Sequence, residues 1–538
     1  MPRTRSMVRH AFFSRLAHAS VAAVLAVASI APPARADDSL QSINAQFRAV
    51  PESRRSDLKV LPPLADLQDP PRSVETRAPA WVTRPAERAA ILAWKGPNWS
   101  DWKAWAQGPT QQAVLAVLPD ITAETDYRRA YAFAQPYGIE GVSIDLIAKG
   151  MYTDLGDPPL LARAQHLYMP KMEHFETLVH VEASRLMEDG RADDALKLMS
   201  DWAMFSRQFA DRPMLREKQW ALNALELALV RMRDLAYEDF RSSDRKMTPG
   251  VLVDTVDRFK VRNGFLDIDR LQLPVGEFAA KTQLIDRVMT PGGAANAEFA
   301  RELARITTVD RPLRRFAAAA YWDGMAAGHA GDLDTRRQLQ RIRDDWLRRW
   351  SLSIFDPILD NRTDYQKNVR GRPQFALLDA GVGTLEDLFP LRQRLRVESA
   401  GTRMGLAVYA FILTNRNMPP GLAAIRPQFN KGAPLDTDPY TRQRADIQFF
   451  VPMRDTPRDE HGRERLYRVA LFPPAPHPEF EVPFGRDQFI LYSAGPSARP
   501  GMAATITQDR RGVPGDYLLW PPLMSLERTL LIERGQLR

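Results

Sequence analysis

The stretch Leu215–Ala236, LREKQWALNALELALVRMRDLA, places apolar side chains at Leu215, Leu222, Leu225, Leu229, Met232 and Ala236. The gaps of seven, three, four, three and four residues are those of one helix face, so this segment is predicted to be a long helix with an apolar stripe. The same period runs through Met172–Glu188 and Ala192–Ala210. Asp189-Gly190-Arg191 separates those two segments, with Gly at the expected helix end. Asp211-Arg212-Pro213 then breaks the second segment before the quoted helix begins. Short turns between apolar helices imply antiparallel packing, so a helical-hairpin array is expected from about residue 111 to 380.

The run Glu188–Lys197 resembles the inter-helix turn of tetratricopeptide-like hairpins. No recurrence at that family's fixed period is visible, so a helical-hairpin array is expected without that repeat. A second helical block is expected over Val275–Trp350, interrupted at Pro291-Gly292-Gly293 and Gly328–Gly331. Its last helix carries Leu339, Ile342, Trp346 and Trp350 on one side, with arginines mostly elsewhere. A solvated face with Asp344 and Asp345 interspersed is preferred there over a basic docking surface.

Residues 1–36 read as an export signal. Arg3, Arg5, Arg9 and Arg15 precede an apolar core at Val21–Ile30, and Ala34-Arg35-Ala36 supplies small residues for cleavage. Removing this segment leaves 69 basic against 66 acidic residues and lowers the formal charge from +8 to +3. Most of the basic excess therefore belongs to the leader, and charge gives no support for nucleic-acid binding. The chain has no cysteine, which excludes disulfides, thiolate metal sites, a Cys nucleophile and lipid attachment at a cleavage-site Cys. Beyond the leader, the best apolar run, Met404–Leu413, falls short of the ~20 residues that span a bilayer. No membrane span is expected after cleavage, and the expected location is periplasmic or secreted.

Residues 37–110 form a Pro- and Trp-rich lead-in. Pro51, Pro62, Pro63, Pro70, Pro71 and Pro79 argue for an extended, partly disordered chain over Asp37–Ala80. Trp99, Trp102 and Trp105 follow at spacings of three, which one helix would present on nearly one face. They are a candidate sugar-stacking platform, and the alternative reading has them docking a short helix onto the main body.

Residues 381–538 change character. Leu385–Leu413 reads as one helix with Pro390 inside it, so it is expected to kink there or to start later. Short β-type runs follow at Ile447–Val451, Leu466–Leu471, Phe489–Ser493 and Tyr517–Trp520. The fold class expected for the whole chain is mainly α: a helical-hairpin array followed by a small α+β domain, a long helix plus a short antiparallel sheet. The succession Arg403–Phe411, Asn415–Pro420, Leu422, Asp438-Pro439-Tyr440 and Phe489–Pro496 resembles the major pseudopilin of type II secretion and exported bacterial proteins with a similar tail. The resemblance implies a helix, a Pro-Leu turn, a buried Asp-Pro-aromatic and a strand. It also implies a calcium loop, but between Gly495 and Asp516 the only acids are Asp509 and Asp516, amid Arg499, Arg510 and Arg511. That departs from a calcium site, which needs several oxygen ligands. A leader of the ordinary export type departs from the pseudopilin N-terminus as well.

Candidate chemistry is sparse. Six histidines lie beyond the leader: His166, His174, His180, His329, His461 and His477. His174 and His180 are six apart, not the four that puts two ligands on one helix face, and no metal site or cofactor is expected. Ser56-Asp-Leu-Lys59 and Ser100-Asp-Trp-Lys103 match the Ser-x-x-Lys pattern but lack a Lys-Thr-Gly partner, since Lys281-Thr282 continues to Gln283. Glu398-Ser399, near Gly401 and Gly405, offers Glu398 as a candidate general acid for glycan cleavage. The segment lacks the continuation typical of lytic transglycosylases and fits the pseudopilin-like helix better. The favoured function is a non-enzymatic exported scaffold binding a protein or envelope partner. The alternative is a peptidoglycan or other envelope glycan hydrolase or lyase.

Overall fold

The computed structural model describes residues 36–71, 81–259, 266–308, 312–426, 435–443, 445–452, 454–456, 460–461, 466–485, 487–510 and 513–537. Residues 1–35 of the expected 1–36 leader lie outside them. The fold is mainly α, with helical hairpins followed by a small α+β region.

The first part contains α1 (Ala36–Arg48), α2 (Asp57–Ala65), α3 (Pro85–Arg88), α4 (Trp99–Ala106), α5 (Pro109–Leu115), α6 (Leu118–Thr122) and α7 (Ile144–Ala148). A two-stranded ladder, β1 (Thr153–Asp154) with β2 (Gln165–His166), follows. The long hairpin helices are α8 (Met169–Glu188), α9 (Ala192–Phe209), α10 (Leu215–Arg241) and α11 (Pro249–Arg258). The second block is α12 (Gly276–Val288), α13 (Phe299–Thr307), α14 (Arg315–Ala326) and α15 (Asp332–Ser351), then the short α16 (Asp364–Asn368) and α17 (Ala376–Val382). The tail comprises α18 (Leu388–Asn415), six short strands, and α19 (Leu523–Glu533).

The α8–α9 turn closes as its sequence implies. Gly190 takes φ +74, Arg191 N–H donates to Leu186 at 2.8 Å and Gly190 N–H to Met187 at 3.1 Å. A left-handed residue here is natural for Gly and strained for any other. The stripe of α10 is buried from Leu215 to Ala236, and so is a second set including Ala221, Ala224, Leu227, Ala228 and Leu235, which leaves Gln219, Asn223, Glu226 and Val230 as a part-exposed row. This helix is the central element, flanked by α8, α9, α18 and α19. Leu222, Leu225, Leu229 and Met232 are 0% exposed, each contributing roughly 1.5–3 kcal/mol by burial.

The expectation of an extended stretch over Asp37–Ala80 is corrected for its described part, since α1 and α2 are helices. In α2, Pro62 and Pro63 remove the N–H groups that would bond to the carbonyls of Leu58 and Lys59. Leu58 is exposed, Lys59 is part-exposed, and Val60, Leu61 and Leu64 are buried. The lost bonds therefore fall on the watered side, where solvent replaces them. Pro390 likewise does not kink α18, because it occupies the first turn, where an N–H has no intrahelical acceptor.

The tail strands are β3 (Gln448–Phe450), β4 (Tyr467–Leu471), β5 (Phe480–Phe484), β6 (Ile490–Ser493), β7 (Thr505–Ile506) and β8 (Tyr517–Trp520). They form two three-stranded sheets, ordered β3-β6-β8 and β5-β4-β7. All pairings are antiparallel except β4 with β7. Phe450, Val469, Leu471, Phe484, Ile490 and Leu518 pack in a small core of their own. The main apolar core, by contrast, is continuous from Val60 to Trp520. Helix α18 is the seam. A Cβ on its Gly401 would lie 2.5 Å from the Leu519 side chain, and one on Gly405 would lie 3.2 Å from Trp520. The two glycines thus let β8 lie against the helix. Among the described residues no helix is long and apolar enough to cross a membrane.

Candidate functional site

Burial of most of α10 encloses several of its charged side chains, Glu217, Arg231, Arg233 and Asp234 among them. Asp234 and Arg231 stand one turn apart on it, and α19 brings Ser525 and Arg528 to the same point. Arg528 donates to both Asp234 oxygens at 2.8 and 2.7 Å, and Ser525 Oγ donates at 2.6 Å. Arg231 also pairs with Asp234 and donates to Ser184 Oγ on α8 at 2.5 Å. Arg528 continues to Glu238 at 3.0 Å and to the Ala90 carbonyl at 2.9 Å. Trp94 lies 5.2 Å from the Arg231 guanidinium and 5.0 Å from that of Arg528. Burial opposes ionisation of Asp234, but Arg528 and Arg231 outweigh it and hold the carboxyl down to about 2. Burial, reinforced by the like charge of Arg528, pushes Arg231 down to about 10 against the pull of Asp234.

A second cluster is built on the first turn of α10. Glu217 accepts from Arg212 Nε at 2.8 Å, from the Tyr137 hydroxyl at 2.5 Å and from the Tyr168 hydroxyl. Arg212 donates to the Gln135 carbonyl at 2.5 Å and lies 4.3 Å from the Tyr137 ring and 4.5 Å from Phe47 of α1. Burial would raise the Glu217 carboxyl, but Arg212, His166 and the two phenols overcome it and hold the group below its ordinary value. Burial, with the Glu217 charge, pushes both phenols well up. The result is a fixed carboxylate among protonated phenols, with Arg212 and Glu217 both 0% exposed. It is an ion clamp that substrate cannot reach.

Glu398 is a third case. It sits on α18 beneath β8, pairs with Arg233 of α10, and accepts from the Tyr517 hydroxyl at 2.5 Å. Burial raises its carboxyl, with Arg233 and Tyr517 pulling the other way. A raised value is the direction a general acid needs, yet both oxygens are occupied and the side chain is 3% exposed. Glu398, the candidate glycan-cleaving acid, thus stands in an inter-helix ion pair that also anchors β8. The neighbouring Gly401 and Gly405 serve the same packing.

Trp99, Trp102 and Trp105 do share α4 and are all buried. Trp99 Nε1 donates to Glu188 at 3.0 Å, Trp105 Nε1 to the Gln68 carbonyl at 3.2 Å, and Trp102 and Trp105 meet edge-on at 6.0 Å. Indoles enclosed in this way dock α4 on α8, the arrangement of the alternative reading.

The remaining candidates are dispersed. Lys59 is held by Asp120, whose hydrogen bond raises the ammonium above its ordinary value, the opposite of what a Ser-activating base needs. Lys103 pairs with Glu188 at 2.9 Å. His174 lies 3.3 Å from Asp69, whereas His180 is 0% exposed with neither ring nitrogen hydrogen-bonded. Burial, with Arg231 and Arg84 nearby, drives the His180 imidazole well below its ordinary value. Asp516 accepts from the N–H groups of Gly501 and Ala503, and Asp509 accepts from the Tyr440 hydroxyl at 3.2 Å. The two acids of that loop are thus engaged by protein donors, and among the described residues no group of three or more His, Asp and Glu is placed to hold a metal ion. Asp438 is similarly enclosed, accepting from Ser493 Oγ at 2.7 Å, Tyr440 N–H at 2.9 Å and Ala494 N–H at 2.8 Å.

A hollow lined by Val256, Arg403, Met404, Ala407, Ile425, Leu435 and Asp436 has a volume of ≈ 10 Å³, about the space of one water. It is too small for a substrate. No protein-family model, curated protein or solved structure matches the chain.

Proposed function

We propose that the chain is an exported, non-enzymatic helical scaffold of the cell envelope, with a pseudopilin-like α+β tail, acting in the periplasm or after secretion. The leader motif and the absence of cysteine support export without disulfides or a lipid anchor. The observation that carries the non-enzymatic reading is the state of the acids. Glu217, Asp234 and Glu398 are each buried against an arginine. The order of motifs from Arg403 to Pro496 and the enclosed Asp438 support the reading of the tail.

Incubating the chain lacking its leader with purified peptidoglycan sacculi discriminates the scaffold from a glycan hydrolase or lyase. No soluble muropeptides are expected from the wild type, nor any difference for Glu398→Gln. Release of muropeptides that Glu398→Gln abolishes while its thermal midpoint is retained would establish the enzyme instead.

A further inference from the structure

The α13–α14 hairpin carries an apolar face that no described residue covers. Its inner side is closed: Trp322 of α14 meets Phe299 of α13 at 6.3 Å and donates to Thr307 Oγ1 at 3.2 Å. The outer side is open. Leu313, in the 3-10 turn that leads into α14, is 97% exposed, Phe316 is 91% exposed and Tyr321 is 54% exposed. Ala317 and Ala320 lie between them and Gly324 just beyond, all exposed, so the face is apolar apart from the exposed Asp323 at its edge. Arg314 and Arg315 stand at its start, exposed and without an ion-pair partner among the described residues. The one acid of α14, Asp323, lies towards the opposite end.

We propose that this hairpin docks the protein on an anionic phospholipid bilayer. Leu313, Phe316 and Tyr321 enter the headgroup–acyl boundary, and Arg314 and Arg315 meet lipid phosphates. The proposal rests on the envelope reading for where the protein meets a bilayer. Charge and size select the occupant. Two unpaired arginines beside the two most exposed apolar side chains match a surface that is apolar below and anionic above. Against a second copy, the face offers roughly 500 Å² where a stable complex buries ~800 Å² per partner, and it would set the same arginines against each other.

Co-sedimentation of the chain beginning at Asp37 with vesicles tests this. Binding to phosphatidylglycerol/phosphatidylethanolamine vesicles is expected to exceed binding to phosphatidylcholine vesicles by at least tenfold and to weaken in high salt. Leu313→Ser with Phe316→Ser, and separately Arg314→Glu with Arg315→Glu, should each lower it about tenfold with an unchanged circular dichroism melting curve. Any of three results would overturn the proposal: no vesicle binding, equal binding by both variants, or vesicle-free dimerisation that Leu313→Ser with Phe316→Ser abolishes. Failure here leaves the scaffold reading standing, whereas glycan release from sacculi removes that reading without touching the hairpin.

Discussion

Replacing Asp234 by Ala should lower the unfolding free energy by roughly 3–5 kcal/mol, because it strands two buried guanidiniums at once. Arg231 and Arg528 are each 1% exposed or less. With Asp234 gone, Glu238 remains to Arg528 and the Ser184 hydroxyl to Arg231, and neither replaces a shared carboxylate. The damage is distributed by position. Asp234 belongs to the central helix, Arg528 to the last one, so the variant should loosen α19 from α10 and expose Trp94. Denaturant titration followed by tryptophan fluorescence measures it. The companion Asp234→Leu, Arg231→Met, Arg528→Met should recover most of the loss, since an apolar replacement of a whole buried triad is close to neutral or better. A loss below about 1 kcal/mol for Asp234→Ala would mean that water reaches the cluster.

Glu217→Gln is expected to cost about 3 kcal/mol at neutral pH, with a dependence on pH that identifies the cause. The folded-state carboxyl lies below its ordinary 4.5. Its contribution is therefore fully present above pH ~4.5 and lost as pH falls through the folded value, because the unfolded chain then binds the proton first. The difference between wild type and Glu217→Gln should be full and level above pH ~5 and shrink as pH falls below ~4.5. A constant difference across that range would show that packing against Tyr137 and Tyr168, not charge, holds the site.

Much of the architecture is legible in local chemistry. The Gly190 turn, the stripe of α10, the breaks at 291–293 and 328–331, and four of the tail strands follow from period and turn residues alone. What period does not report is how many faces of a helix are covered. The α10 stripe reads as one apolar face, yet Ala221, Ala224, Ala228 and Leu235 make a second. That second face was the available signal that Arg231, Arg233 and Asp234 are enclosed and must find one another or partners elsewhere. Their partners Arg528 and Glu398 lie 294 and 165 residues away, a separation no local pattern encodes. Pro62 and Pro63 mislead for the reverse reason. A proline rules out a helix only when its missing N–H faces protein, and in α2 it faces water. Strands β5 and β7 were missed because β5 contains Pro483 and β7 is two residues long. The candidates Glu398 and the α4 tryptophans are legible as residues, but their burial is set by partners distant in sequence.

The central claim is that carboxylate–arginine clusters on α10 bind the helical body and the tail into one cooperative body. Differential scanning calorimetry of the chain beginning at Asp37 tests it most directly. A single endotherm is expected, shifted as a whole to lower temperature by Asp234→Ala. Two separate endotherms, of which Asp234→Ala moves only one, would contradict it.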